Sequence, residues 1–175
     1  MTNYCAFLRG VNVKGTNMKM ADVCKVFSDA GMENVTSVLA SGNILFQSDK
    51  TASDLKKILE KALSDHFSYD AFLFIKTENE INQIVKRNPF SAKENFHNYV
   101  FLGNGKVEQT LVQEFEQSKK EEGEQGKMVN EIFYWQVAKG QTLESAFGKI
   151  LGRKSLKDKM TSRNINTFEK IIKKI

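Results

Sequence analysis

Histidine and cysteine are scarce, with two of each in 175 residues. His66, His97, Cys5 and Cys24 share no spacing that fits a tetrahedral zinc site, so no metal site is expected from local sequence and no cofactor is indicated. Cys5 falls in a strand pattern and Cys24 on the apolar stripe of a helix, and both read as buried thiols. No apolar run reaches the ~18–20 residues of a membrane span. Met1-Thr2-Asn3-Tyr4 opens without the basic stretch and apolar core of a secretory leader. Together these absences place the expected location in a reducing cytoplasm, away from membranes.

Signatures of catalysis are missing too. Ser41 lacks the Gly-x-Ser-x-Gly elbow and reads as a turn residue. No pair of carboxylates stands out as a buried acid and base. In "FLRGVNVKGTN" (residues 7–17), Gly10 and Gly15 have the spacing of a phosphate-binding loop, but Thr16 and Asn17 follow where that loop needs a lysine and a hydroxyl. A true P-loop is therefore not expected. Two readings of the stretch remain. The glycines simply let the chain turn, with Thr16 or Asn17 capping the next helix. Alternatively, the amides at the helix start bind an anion, aided by Arg9, Asn12, Lys14 and Asn17. Whether the chain is an enzyme stays open, and no catalytic residue is assigned.

What is present is an ordinary balance for a folded protein, 41% hydrophobic and 27% charged residues. Asn3 to Arg9 alternates as a strand, with Tyr4, Ala6 and Leu8 on one face and Cys5, Phe7 and Arg9 on the other. Met20, Val23, Cys24 and Phe27 recur at helical spacing, ending near Gly31. Asn34–Ala40 and Asn43–Gln47 read as strands joined by the hairpin signal Ser41-Gly42-Asn43. Thr51 or Ser53 caps a helix with the stripe Leu55, Ile58, Leu59 and Leu63, and Tyr69–Ile75 closes the unit as a strand. The order βαββαβ is a ferredoxin-like split βαβ, for which a four-stranded antiparallel sheet with helices on one face is the natural packing.

A short helix, Glu78–Lys86, ends before the only proline, Pro89. The order then repeats. Asn98–Leu102 reads as a strand, Val107–Gln117 as a helix, "SKKEEGEQGK" as a polar loop, Met128–Ala138 as one or two strands, "ESAFGKILG" as a helix and Lys159–Ser162 as a short strand. "YCAFLRG" against "NYVFLGN", and "LKKILEK" against "FGKILGR", support a duplicated unit. The expected class is α+β with two ferredoxin-like units. Residues 1–76 form the first, 77–96 a helical linker, and 97–175 the second with a docked C-terminal helix. That last helix opens on the capping-box pattern Asn166-Thr167-Phe168-Glu169 and buries Phe168, Ile171, Ile172 and Ile175. Arg163 is expected in the loop before it.

Charge is uneven. The net charge is +5, and residues 149–175 hold nine basic and two acidic side chains, more than the whole surplus. Such a segment favours anionic partners. Lys170, Lys173 and Lys174 also fit a plainer role as the solvated face of a terminal helix whose C-terminal dipole they complement. Phe133 and Trp135 share one strand face and Tyr134 takes the other. Rings on an open sheet face stack on bases in RRM domains of the same topology. "SGNILFQ" lacks the RRM consensus strand, so core and ligand-facing readings both stand.

Three stretches, "FLRGVNVKGTNMKMADV" (7–23), "ASGNILF" (40–46) and "TSRNINTFEKI" (161–171), resemble a bacterial family known as domain of unknown function sixteen-ninety-seven. Asn88-Pro89-Phe90 and the "IFYW" region are similar too, and the resemblance runs over essentially the whole chain. It implies the same two-subdomain, ferredoxin-like architecture and no established activity. Its motifs select Arg9, Gly10, Asn12, Gly15, Asn17, Ser41, Gly42, Asn43, Arg163, Asn164, Asn166 and Thr167. Lys14 stands where the family usually has glycine, and Ile165 where an aromatic is common. The functional expectation is an anionic ligand, nucleic acid first, with Arg9, Asn12, Lys14, Asn17, Ser41, Asn43, Arg163 and Asn164 as its contacts. The alternatives are an enzyme acting on a small phosphorylated or nucleotide-like substrate in a cleft between the subdomains, and a structural or interaction module.

Overall fold

Alternation and helical periodicity build the βαββαβ order twice. The computed structural model describes residues 1–11, 17–104 and 106–175. The chain divides into a first unit of residues 1–83 with 167–175, and a second of residues 84–166. Among the described residues no helix is long and apolar enough to cross a membrane.

The first unit contains β1 (Thr2–Arg9), α1 (Met20–Asp29), β2 (Glu33–Ser37), β3 (Asn43–Ser48), α2 (Ala52–Phe67) and β4 (Phe72–Thr77), and α3 (Glu78–Lys86) begins in it. Its antiparallel sheet has the order β2-β3-β1-β4. Tyr4, Ala6, Leu8, Ile44, Phe46 and Leu73 face α1 and α2, meeting Val23 and Phe27 of the first helix and Leu55, Leu59 and Leu63 of the second. The threonine at position 51 is the N-cap of α2, its side chain accepting from the Asp54 amide. β2 stops at Ser37, three residues earlier than the sequence suggests, because Leu39 takes φ 62° and turns the chain. The opposite sheet face is covered in part, over Cys5 and Phe7. Phe7 points away from α1 and α2 and lies 5.2 Å, ring to ring, from Phe168.

The second unit contains β5 (Phe96–Gly103), α4 (Val107–Gln117), β6 (Gln125–Val129), β7 (Ile132–Ala138), α5 (Ala146–Leu151), α6 (Lys154–Lys157) and β8 (Met160–Asn164). Its sheet order, β6-β7-β5-β8, repeats that of the first unit. Phe101, Phe133, Trp135 and Val137 pack with Leu111 and Phe115 of α4 and Phe147 of α5. Asn130 and Glu131, both at positive φ (47° and 66°), make the tight β6–β7 turn. The polar "SKKEEGEQGK" stretch is a loop only to Glu124. β6 takes the rest, since Gly126 lets the strand pass under the Phe115 ring, 2.8 Å from where a Cβ would sit.

Two expectations near the C-terminus are corrected. Arg163 lies in β8, paired with Val100 of β5, not in a loop. The last helix, α7 (Ile165–Ile172), is capped by Asn164, whose Oδ1 accepts from the Asn166 amide at 3.0 Å. Asn166 is thus inside the helix rather than its cap. α6 was not legible in advance. From Thr167 onward α7 belongs to the first unit, with Phe168 and Ile171 fully buried.

The repeat is real, but its register differs from the letter echo. Phe101 faces the helices of its unit and Phe7 does not, so matching the two Phe-Leu pairs is one residue out of phase. The in-phase match is Asn3-Tyr4 with Asn98-Tyr99. Asn3 opposes Gln47 and Tyr4 opposes Phe46, just as Asn98 opposes Gln136 and Tyr99 opposes Trp135. Both aromatic pairs have ring centroids 5.6 Å apart.

Candidate functional site

Asn12, Lys14, Gly15 and Thr16 lie outside the described residues. Of their neighbours, Arg9 is half-buried at the end of β1, opposite Phe72 of β4, and Asn17 is exposed. Asn17 is not the cap of α1. That position is Lys19, which makes no side-chain capping bond.

The Ser41-Gly42-Asn43 turn is bound into the fold. Gly42 accepts from the Leu8 amide at 2.7 Å, and the fully buried Asn43 donates from Nδ2 to the Val38 carbonyl (2.9 Å) and to Ser41 Oγ (3.0 Å). Gly42 has φ 82°, and a Cβ there would sit 2.6 Å from Val11 Cγ2. The turn thus clamps the exit of β1. Arg163 and Asn164 belong to the second unit. The Arg163 Nη1 donates to Thr161 Oγ1 (2.7 Å) and the Ser162 carbonyl (2.9 Å). Asn164 caps α7 and also pairs through Nδ2 with His97 Nδ1 at 3.1 Å.

The aromatic platform on β7 does not form. Phe133 and Trp135 are core residues, and Trp135 Nε1 donates to the buried Glu124 carboxylate at 2.9 Å. Tyr134, 1% exposed, donates its hydroxyl to the Ile84 carbonyl in the last turn of α3. Burial pushes its phenol up to about 12. Burial likewise raises the Cys24 thiol above its ordinary value, only partly offset by a hydrogen bond with Ser37 and the charge of Lys174, so the thiol stays protonated.

A run of exposed basic side chains lies in the second unit. Phe147, Leu156 and Met160 are the apolar anchors of the α5–α6–β8 stretch. Anchoring those residues turns Lys149, Arg153, Lys154, Lys157 and Lys159 outward, all exposed, with Asp158 the only acidic residue among positions 149–159. Arg153 meets Glu114 at 3.4 Å, with both side chains accessible. Elsewhere Lys174, though exposed, donates to the Ser37 carbonyl at 2.9 Å and so ties the helix end to β2, a role neither reading gave it.

One polar feature was missed in the sequence. Across the first sheet, Asn34 Nδ2 donates to Gln47 Oε1 (2.5 Å), Gln47 Nε2 to Asn3 Oδ1 (2.7 Å), and Asn3 Nδ2 to Glu78 Oε2 (2.7 Å). Beside this ladder lies a groove of about 370 Å³ lined by Thr2, Asn3, Thr77, Glu78, Asn79 and Asn82. The available signal was a run of amide side chains at strand positions on the face opposite Tyr4 and Phe46. It becomes legible only once the strand register is known.

Comparison with known proteins bears on fold and family. No curated protein matches the chain. The conserved bacterial protein SP0830 from Streptococcus pneumoniae has a similar structure, with a TM-score of 0.82 and 24% identity over 99% of each chain. That likeness carries the fold of both units. A family model covers residues 1–134, taking in the first two of the three motif stretches and stopping before the third. By that match the chain belongs to the family described as Protein of unknown function (DUF1697).

Proposed function

We propose that the protein binds nucleic acid, as an anionic polymer, through the basic surface of its second unit. The observation that carries this reading is the exposed set Lys149, Arg153, Lys154, Lys157 and Lys159, with one acidic residue among them. A closely spaced set of exposed cations attracts phosphates and is screened little at their separation. With no exposed ring on β7, bases are not read by stacking there, and the contact is to the backbone without sequence preference.

Fluorescence anisotropy of a labelled, mixed-sequence single-stranded RNA tests this. Each phosphate neutralised on a single strand contributes a slope of about −0.7 in log K against log salt. Five contacts therefore weaken binding roughly 100-fold between about 50 mM and about 200 mM salt. Replacing Lys149, Lys154, Lys157 and Lys159 together by alanine should cut the slope from about −3.5 to the value of about −0.7 left by Arg153, while leaving the circular dichroism spectrum unchanged. Absence of binding at the lower salt, or binding that ignores salt or these substitutions, overturns the proposal.

A further inference from the structure

The two units carry the same amide ladder, and the second shows what such a ladder accepts. In it, Gln125 Nε2 donates to Gln136 Oε1 (3.2 Å) and Gln136 Nε2 to Asn98 Oδ1 (2.8 Å). Gln136 and Asn98 occupy the strand positions of Gln47 and Asn3, since Gln47 opposes Asn3 as Gln136 opposes Asn98, whereas Gln125 opposes Gln136 at the place Glu33 takes opposite Gln47, and Asn34 reaches Gln47 from the next residue along. Both ladders lie on the sheet face turned away from the main helices of their unit.

They differ in what lies on them. Gln136 is 2% exposed, and Nε2 also donates to the main-chain carbonyl of Ser91 at 3.0 Å. Ser91 belongs to the irregular segment between α3 and β5, where Asn88 Oδ1 holds the Phe90 amide at 3.2 Å. The glutamine of the second ladder is therefore closed by a peptide carbonyl of its own chain. Gln47 is only half-buried, and among the described residues Nε2 donates only to Asn3. The first ladder instead runs on to Glu78 and opens beside the groove lined by Thr77, Asn79 and Asn82.

We propose that this ladder and groove bind a peptide segment of another protein. Gln47 Nε2 takes a main-chain carbonyl, as Gln136 does in the second unit. Asn79 and Asn82 offer amide donors and acceptors to the adjoining backbone. Glu78, the only carboxylate among the described residues lining the groove, faces a basic side chain of the ligand. This site is separate from the basic surface proposed for nucleic acid, and it asks for the opposite ligand charge.

The probe is a synthetic, end-blocked peptide of residues 87–93, Arg-Asn-Pro-Phe-Ser-Ala-Lys, the stretch whose carbonyl closes the second ladder. Titration into the ¹⁵N-labelled full chain is followed through side-chain amide resonances. Shifts at Gln47, Asn3 and Asn82 are expected, saturating in the range of about 1 mM that a few hydrogen bonds support. Gln47→Leu and Gln47→Glu, each checked for an unchanged backbone spectrum, should abolish them. Glu78→Gln should weaken this peptide severalfold, but not a version with alanine in place of its arginine and lysine. No shift up to about 10 mM, shifts confined to other residues, or indifference to both Gln47 substitutions overturns the proposal. The probe carries no phosphate, so its failure leaves the nucleic-acid reading untouched, and the reverse holds too.

Discussion

Removing one oxygen atom from either of two tyrosines should have opposite effects. Among the described residues the Tyr69 hydroxyl is the only buried polar side-chain atom without a hydrogen-bond partner. It packs against the core of the first unit, near the Phe67 ring. The Tyr134 hydroxyl is bonded to the Ile84 carbonyl at 2.8 Å, in the last turn of α3, where carbonyls run short of intrahelical donors. A buried polar group left unsatisfied costs about 1–3 kcal/mol. Tyr69→Phe removes such a cost and should stabilise the protein by about 1 kcal/mol. Tyr134→Phe creates one at Ile84 and also loses the bond, so it should destabilise by about 1–3 kcal/mol. Urea titrations followed by far-ultraviolet circular dichroism, with the slope held common, should place the two variants on opposite sides of the parent midpoint. Equal losses for both variants would refute the reasoning, because Tyr69 would then have a partner worth as much as that of Tyr134.

Two further outcomes follow from backbone geometry and titration. Gly42→Ala places a methyl 2.6 Å from Val11 Cγ2 at φ 82°, whereas Gly31→Ala, at φ 89°, meets nothing within 4 Å. The first should cost about 2–4 kcal/mol and the second about 1 kcal/mol, measured by the same urea titrations. Both phenols are raised from 10 to about 12 by burial, with the Glu60 charge adding at Tyr69 and Arg87 opposing at Tyr134. Below pH 10 neither state ionises and stability is unaffected. Between pH 10 and about 12 the unfolded chain loses these protons first, so stability should fall, and less steeply in Tyr69→Phe.

How much was legible depended on whether a signal was local. α3 and α4 match their expected bounds, because a 3.6-residue stripe is written within each helix. The cap of α2 was narrowed to Thr51 or Ser53 by local sequence, and it is Thr51. The cap of α7 was misplaced by two residues, because Asn164 and Asn166 are chemically alike and only the reach of β8 decides between them. The out-of-phase repeat has a similar cause. Phe-Leu occurs in both halves, but the facing of a strand residue is set by its partner strand, which letters do not record. As for the selected site residues, Asn43 and Asn164 make the hydrogen bonds that hold a turn and a helix start. A polar residue in a motif looks the same in sequence whether its donors serve a ligand or the backbone.

The same logic bears on where this fold can meet a peptide. A ferredoxin-like sheet has two edges, and strand addition at an edge is the common route for peptide recognition. In the first unit β4 is one edge, and its backbone is already engaged. Glu60 Oε1 accepts from the Leu73 amide at 3.2 Å, and Lys56 Nζ donates to the Leu73 carbonyl at 2.6 Å. Lys56 also lies 4.1 Å above the Phe72 ring. A lysine and a glutamate one turn apart on α2 thus occupy both backbone groups of Leu73 and hinder strand addition there. The other edge, β2, is five residues long, and its register shifts between Glu33 and Thr36, where Asn34 takes φ 50°. An interrupted edge of that length gives an incoming strand no continuous ladder. With both edges hindered, among the described residues Asn34, Gln47, Asn3 and Glu78 offer a hydrogen-bonding array on the sheet face instead. Side-chain amides there supply the spaced donors and acceptors that an edge strand would otherwise supply from its backbone.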